Sequence, residues 1–177
     1  GHVNMPVRSE EDFRLVRFIE AKLAAEGEVP HAGVEEVLAG RGLANLHAFA
    51  AAEAGLPGGL ASADVLKALD QGDATAAHAA RLYVHILGQM LADLALIHLP
   101  YGGIYLIGGM SRALTPHFAR FGLTRAFREP RRVDLLEKEA PGVNLRVVPL
   151  TTRDPRELLE SGSADLAVGH FPGVIAE

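Results

Sequence analysis

Gly103-Ile104-Tyr105-Leu106-Ile107-Gly108-Gly109 is a short, continuous apolar run set between glycines. Such a run is the pattern of a buried, parallel strand, whose two covered faces leave no polar alternation. It decides the fold class, because everything ahead of it reads as helix. Ser9-Glu10-Glu11-Asp12 is a helix start, with a Ser cap and acids in the first turn where the helix dipole favours them. Leu15, Val16, Ile19 and Leu23 then recur at helical spacing until Gly27. A short helix is predicted over Val34 to Ala39 and an Ala-rich one over Leu43 to Ala54, broken by Gly55-Leu56-Pro57-Gly58-Gly59. Ser62 is read as the cap of Ala63 to Leu69, and Asp73 opens a long helix reaching about Leu99.

Downstream of the strand a helix is expected from about Thr115 to Phe121. Near Pro130-Arg131-Arg132 the texture changes. Asp134–Glu139 reads as helix, Asn144–Leu150 as strand, Asp154–Glu160 as helix and Ala164–Gly169 as strand, an alternation that calls for right-handed crossovers between parallel strands. The domain boundary is placed at Glu129–Val133. There is no internal repeat and no low-complexity tract.

Composition narrows the function. Of the 177 residues, 49% are hydrophobic and 22% charged, with net charge −5 and pI near 5.9. That is an ordinary balance, without the basic surplus of a general nucleic-acid binder. No cysteine is present, which removes disulfides, thiolate metal sites and Cys nucleophiles. The apolar stretch Leu82–Leu99 is interrupted by His85, Gln89, Asp93 and His98, so it reads as a buried amphipathic helix and not as a membrane span. No signal segment opens the chain, and a cytoplasmic protein is expected. The first residue is Gly1, not Met, which raises the expectation of a fragment or a processed piece.

Four sets of residues carry candidate chemistry. Gly108-Gly109 follow the strand, where paired glycines let a ligand or helix approach the backbone and where the next amides face a phosphate or nucleotide. A strand-end turn needing positive φ is the more ordinary explanation of the same pair. His2 and Glu35 are a histidine and a carboxylate able to share sugar hydroxyls, although Glu36 beside Glu35 would serve equally by type. His78, His85 and His98 lack the spacing of three or four that a helical metal site uses, and read as helix-face or partly buried histidines. Arg112, Arg120, Arg125, Arg128, Arg131 and Arg132 form a basic run that reads as a solvated face with one or two acidic partners.

Several blocks together go further. Gly1-His2-Val3, the Ser9-Glu10-Glu11 helix, Val34-Glu35-Glu36-Val37-Leu38-Ala39-Gly40-Arg41-Gly42-Leu43-Ala44-Asn45-Leu46 and Gly102-Gly103-Ile104-Tyr105-Leu106-Ile107-Gly108-Gly109 resemble bacterial glucokinases in order and spacing. These are members of the actin-like sugar kinase superfamily. The resemblance spans residues 1–130 and implies the helix-rich carboxy-terminal lobe of such a kinase, an α/β fold with a small, mostly parallel sheet. It implies glucose and ATP as ligands, with Mg2+ accompanying ATP, and phosphorylation at the sugar's 6-hydroxyl. By resemblance His2 belongs to the family's Glu-Gly-Gly-His sugar motif, Glu35 holds glucose hydroxyls, and Gly108 and Gly109 lie beside the ATP adenosine.

In the family, the segment ahead of the position of Gly1 supplies the phosphate loops, the Asp that takes the hydroxyl proton and the Glu of the sugar motif. No catalytic residue is therefore assigned here, and the 177 residues alone are expected to lack kinase activity. A separate amino-terminal half, or self-association, is the implied partner; neither nucleic acid nor membrane is.

Residues 132–177 resemble something else. Ala140-Pro141-Gly142-Val143 and Ser161-Gly162-Ser163-Ala164-Asp165-Leu166-Ala167-Val168-Gly169 look like the first part of the effector-binding domain of LysR-type transcription regulators. A regulator fragment that binds a small molecule, or a non-catalytic interaction module, is the alternative function. A kinase-type ending, with Asp154-Pro155 as its turn and Leu158-Leu159 opening the last helix, competes for the same tail. The kinase-type ending would use Val147–Leu150 as its strand, whereas a borrowed strand Leu145–Val148 is placed to cover the sheet edge beside Ile104–Ile107.

Overall fold

The computed structural model describes residues 3–100, 103–130, 145–147 and 166–168. Seven helices and three strands are formed among them: α1 (Glu10–Ala25), α2 (Val34–Leu38), α3 (Gly42–Glu53), α4 (Ser62–Asp70), α5 (Ala74–His98), β1 (Ile104–Leu106), α6 (Gly109–Phe121), α7 (Leu123–Phe127), β2 (Leu145–Val147) and β3 (Leu166–Val168).

The capping chemistry at α1 and α5 follows the sequence. The Ser9 hydroxyl accepts from the Asp12 amide at 3.1 Å while the Asp12 carboxylate accepts from the amides of Ser9 (2.9 Å) and Arg8 (3.0 Å). This reciprocal pairing is a capping box. Asp73 caps α5 by accepting from the Ala76 amide at 2.7 Å. Helix α5 is the hub. It packs against α2, α3, α4, α6 and α7, and Ala79, Leu82, Val84, Ile86 and Leu91 are all fully buried. By length and composition α5 is apolar enough to cross a membrane, but more than half of it is buried inside the protein. A helix apolar on nearly every side is what a core position surrounded by other helices requires.

Ser62 departs from expectation. It lies within α4, whose N-cap is Ala61 with no side-chain bond. Its hydroxyl instead donates to the Gly40 carbonyl at 2.7 Å and accepts from the Ala44 amide at 3.2 Å. Ser62 thus ties α4 to the α2–α3 junction, a tertiary use that the local sequence does not reveal. Helix α6 also begins earlier than expected, at Gly109 rather than Thr115, and α7 was not expected at all.

The sheet is parallel, in the order β2-β1-β3. Ile104 pairs with Leu145 on one side and Leu166 on the other, and Leu106 with Val147 and Val168. The predicted strands near 145 and 166 therefore form, and β2 covers one edge of β1. The helices predicted over Asp134–Glu139 and Asp154–Glu160 lie outside the described residues.

Candidate functional site

Two places gather the sequence-predicted residues. The first is a cleft of about 520 Å³ beside α2, lined in part by Glu26, Glu28, His31, Gly33, Glu35, Glu36 and Arg41. Glu35 stands half-buried on the first turn of α2. That short helix is held from three directions. Its carboxy-terminal carbonyl, on Leu38, accepts from the Tyr83 hydroxyl at 3.0 Å; burial raises the pKa of this phenol, so it stays a donor. The Glu36 carbonyl accepts from Asn45 Nδ2 at 2.8 Å. On the amino side, Val34 N–H donates to Val3 O at 2.9 Å and Met5 N–H to Ala32 O at 3.1 Å. An antiparallel bridge between Asn4 and Gly33 lies between those two bonds.

The chain that follows His2 is thus laced to the residues just before Glu35. His2 itself lies outside the described residues. The Glu36 carboxylate is held by Arg41. Lys22 likewise pairs with Glu26, and the lining as a whole holds more carboxylates (Glu26, Glu28, Glu35, Glu36) than Lys or Arg cations (Lys22, Arg41), which gives the cleft an acidic character. Acidic oxygens accept from hydroxyls and repel phosphates, so the chemistry suits a neutral polyol.

The second place is the carboxyl end of β1, the central strand. In a parallel sheet this is the end where ligands collect. Ile107 is buried, Gly108 adopts φ 104° and ψ 170°, and Gly109 begins α6. Backbone of that kind is essentially restricted to glycine. Apart from its chain neighbours and the backbone of α6 itself, no heavy atom of the described residues lies within 4 Å of where a Cβ on Gly109 would stand, and the first turn of α6 contains no acid and no side-chain cap. The glycine turn and the helix amino terminus are therefore one feature.

His78 and His85 each have a partner within the fold, and His98 is exposed. His78 lies 2.7 Å from Glu11 and His85 2.9 Å from Gln89. Among the described residues no group of three or more His, Asp or Glu is arranged to hold a metal. Arg112, Arg120, Arg125 and Arg128 are exposed, as a solvated face requires, but the acidic partners expected for them are not found among the described residues. Arg120 instead lies 5.0 Å over the Phe121 ring.

Comparison with known proteins decides the family. The glucokinase family model matches residues 1–144. The chain belongs to the glucokinase family. Glucokinase of Rhizobium meliloti (strain 1021) is 34% identical over 143 residues, covering 80% of this chain and 40% of that protein. Glucokinase of Cronobacter sakazakii is 30% identical over 165 residues, 92% of this chain and 48% of its own length. The chain therefore spans less than half the length of these relatives. Among solved structures, a glucokinase from an Antarctic psychrotroph superposes with TM-score 0.74 at 21% identity, over 92% of this chain and 48% of that one. Glucokinase of Balamuthia mandrillaris in complex with glucose gives 0.69 at 18% identity, over 86% and 42%. The glucokinase match continues past the boundary expected at Glu129–Val133, and the regulator-like reading of residues 132–177 gains no support from these comparisons.

Proposed function

We propose that this chain supplies the glucose- and nucleotide-facing carboxy-terminal part of a cytoplasmic glucokinase. Glu35, together with His2, accepts and donates hydrogen bonds to glucose hydroxyls in the α2 cleft. Gly108 and Gly109 accommodate the adenosine of ATP at the carboxyl end of β1. The observation that carries the reading is the lacing of Val3–Met5 to Ala32–Val34, which brings the segment after His2 alongside Glu35. A site built to bond each hydroxyl rejects sugars lacking one, because its own polar groups are then left unpaired.

The fit to ATP rests on the backbone of Gly108-Gly109, beside which no described side chain comes within 4 Å of a Cβ at Gly109, and on the acid-free first turn of α6. ATP brings the transferable phosphoryl group and Mg2+ neutralises its charge; no described residue is assigned to the metal. The stretch after residue 131 completes the sheet on both edges of β1 through β2 and β3. No described residue is assigned as the proton acceptor for the sugar hydroxyl; the family resemblance places that group ahead of the position of Gly1, so residues 1–177 are expected to bind without turnover. Melting of the chain with and without glucose tests the sugar site, since a ligand stabilises the state that binds it. Glucose is expected to raise the melting temperature of the parent chain and not of Glu35→Gln. An equal response from both would remove Glu35 from the site, and robust ATP- and glucose-dependent turnover by the chain alone would overturn the division of labour.

A further inference from the structure

A groove of about 850 Å³ runs between the start of α1, the middle of α5 and α7, with Glu11, Arg81, His85, Phe121, Arg125 and Arg128 in its lining. It shares no lining residue with the α2 cleft. It reaches Phe121, at the opposite end of α6 from Gly109, about 18 Å away along the axis at 1.5 Å per residue. Its volume is that of a site for a small organic molecule.

The charges in this groove do not cancel. Glu11 is held by two bonds from Arg81 Nη2, at 2.9 and 3.2 Å, and by His78 at 2.7 Å. Glu129, also in the lining, accepts from Gln89 at 3.1 Å and pairs with Arg8 at 3.7 Å. Both carboxylates are thus neutralised by cations of their own. Arg125 and Arg128 remain, and neither has an ion-pair partner among the described residues. Arg125 lies in α7's last turn and Arg128, three positions on, is its C-cap, and both line the groove. The guanidinium of Arg125, though exposed, lies back over Gly122, where an added Cβ would meet its Nε and Nη2 at 3.4 Å. The half-buried Phe121 ring stands at the same edge.

In a protein of net charge −5, two unpaired guanidinium groups beside an aromatic ring and over a concave surface make a phosphate-selective constellation. We infer that this groove is a second ligand site that takes a small phosphate monoester, with Arg125 and Arg128 on the phosphate and Phe121 against the organic part. Two sources share that chemistry, a sugar phosphate and a nucleoside monophosphate.

The test follows amide shifts of the isotope-labelled 177-residue chain, with ribose 5-phosphate and AMP as separate probes and sodium sulfate at matched ionic strength as control. Shifts at Leu123, Ala126 and His85 are expected with at least one ester, and the ester giving them at lower concentration identifies the source. Affinity should fall on the order of ten-fold or more in the double variant R125Q/R128Q, whose positions are exposed and whose melting temperature should match the parent. G109A should leave this binding unchanged. The inference is overturned by the absence of shifts with both esters, by equal shifts with sulfate, by undiminished binding in R125Q/R128Q, or by binding that G109A abolishes.

Discussion

Gly42 lies against the backbone of Val37 so closely that a Cβ at residue 42 would stand 2.2 Å from the Val37 carbonyl oxygen. Val37 belongs to α2 with Glu35, and Gly42 is the first residue of α3. The absent side chain therefore sets the distance at which the helix bearing the candidate sugar ligand is held. Gly42→Ala forces backbone apart, which a flexible side chain cannot absorb. A loss of about 2–3 kcal/mol is expected, seen as a melting temperature lower by about 5–10 °C. Melting within a degree of the parent would show that α2 and α3 separate freely, and would remove the steric argument for Glu35's position.

The end caps of α1 and α5 give a second measurement. Asp73→Ala removes the acceptor for the Ala76 amide and should cost about 1 kcal/mol in urea unfolding. Asp73→Ser should restore most of it. If Ala and Ser behave alike, the cap bond contributes nothing and α5 is held by its packing alone.

These caps were legible because Ser9 and Asp73 act on amides three residues away, well inside the range of local sequence. So was α5, whose apolar residues need no knowledge of their neighbours. What escaped was tertiary. Ser62 reads as a cap until its hydroxyl is seen on Gly40 and Ala44, some twenty residues back. The start of α6 was hidden by Gly109, a poor helix former, and by Pro116 inside the helix. Helix α7 has five residues, too few to display a period. In the α2 cleft, Glu35 and Glu36 are indistinguishable as types, and Arg41's hold on Glu36 appears only in the structure.

Glu11 makes stability depend on pH. Burial on its own would raise its pKa, but hydrogen bonds and charge from Arg81 and His78 outweigh burial and hold the carboxyl below its ordinary 4.5. A depressed folded-state value means the contribution is complete above about pH 4.5 and is lost as pH falls through the lower folded value. Glu11→Gln should therefore be less stable than the parent by about 0.5–1 kcal/mol between pH 5 and 7. The gap should narrow steadily below pH 4.5. Urea unfolding from pH 3 to 7 checks this, and a gap that stays constant down to pH 3 would show that Glu11 is not the titrating group.

The two glycines after β1 should part company when each receives a methyl group. Gly108 sits at φ 104° and ψ 170°, so Gly108→Ala is expected to cost about 1–3 kcal/mol whatever the ligand. Gly109 has no such backbone requirement, and among the described residues no side chain comes within 4 Å of its would-be Cβ. Gly109→Ala should therefore melt at or slightly above the parent temperature, because alanine is the better helix former. The methyl group does occupy the space assigned to the nucleotide. Stabilisation by a non-hydrolysable ATP analogue, present in the parent, should be weakened in Gly109→Ala while glucose stabilisation is retained. A variant that keeps the parent's full response to the analogue would place the nucleotide elsewhere and leave Gly108-Gly109 as a strand-end turn alone.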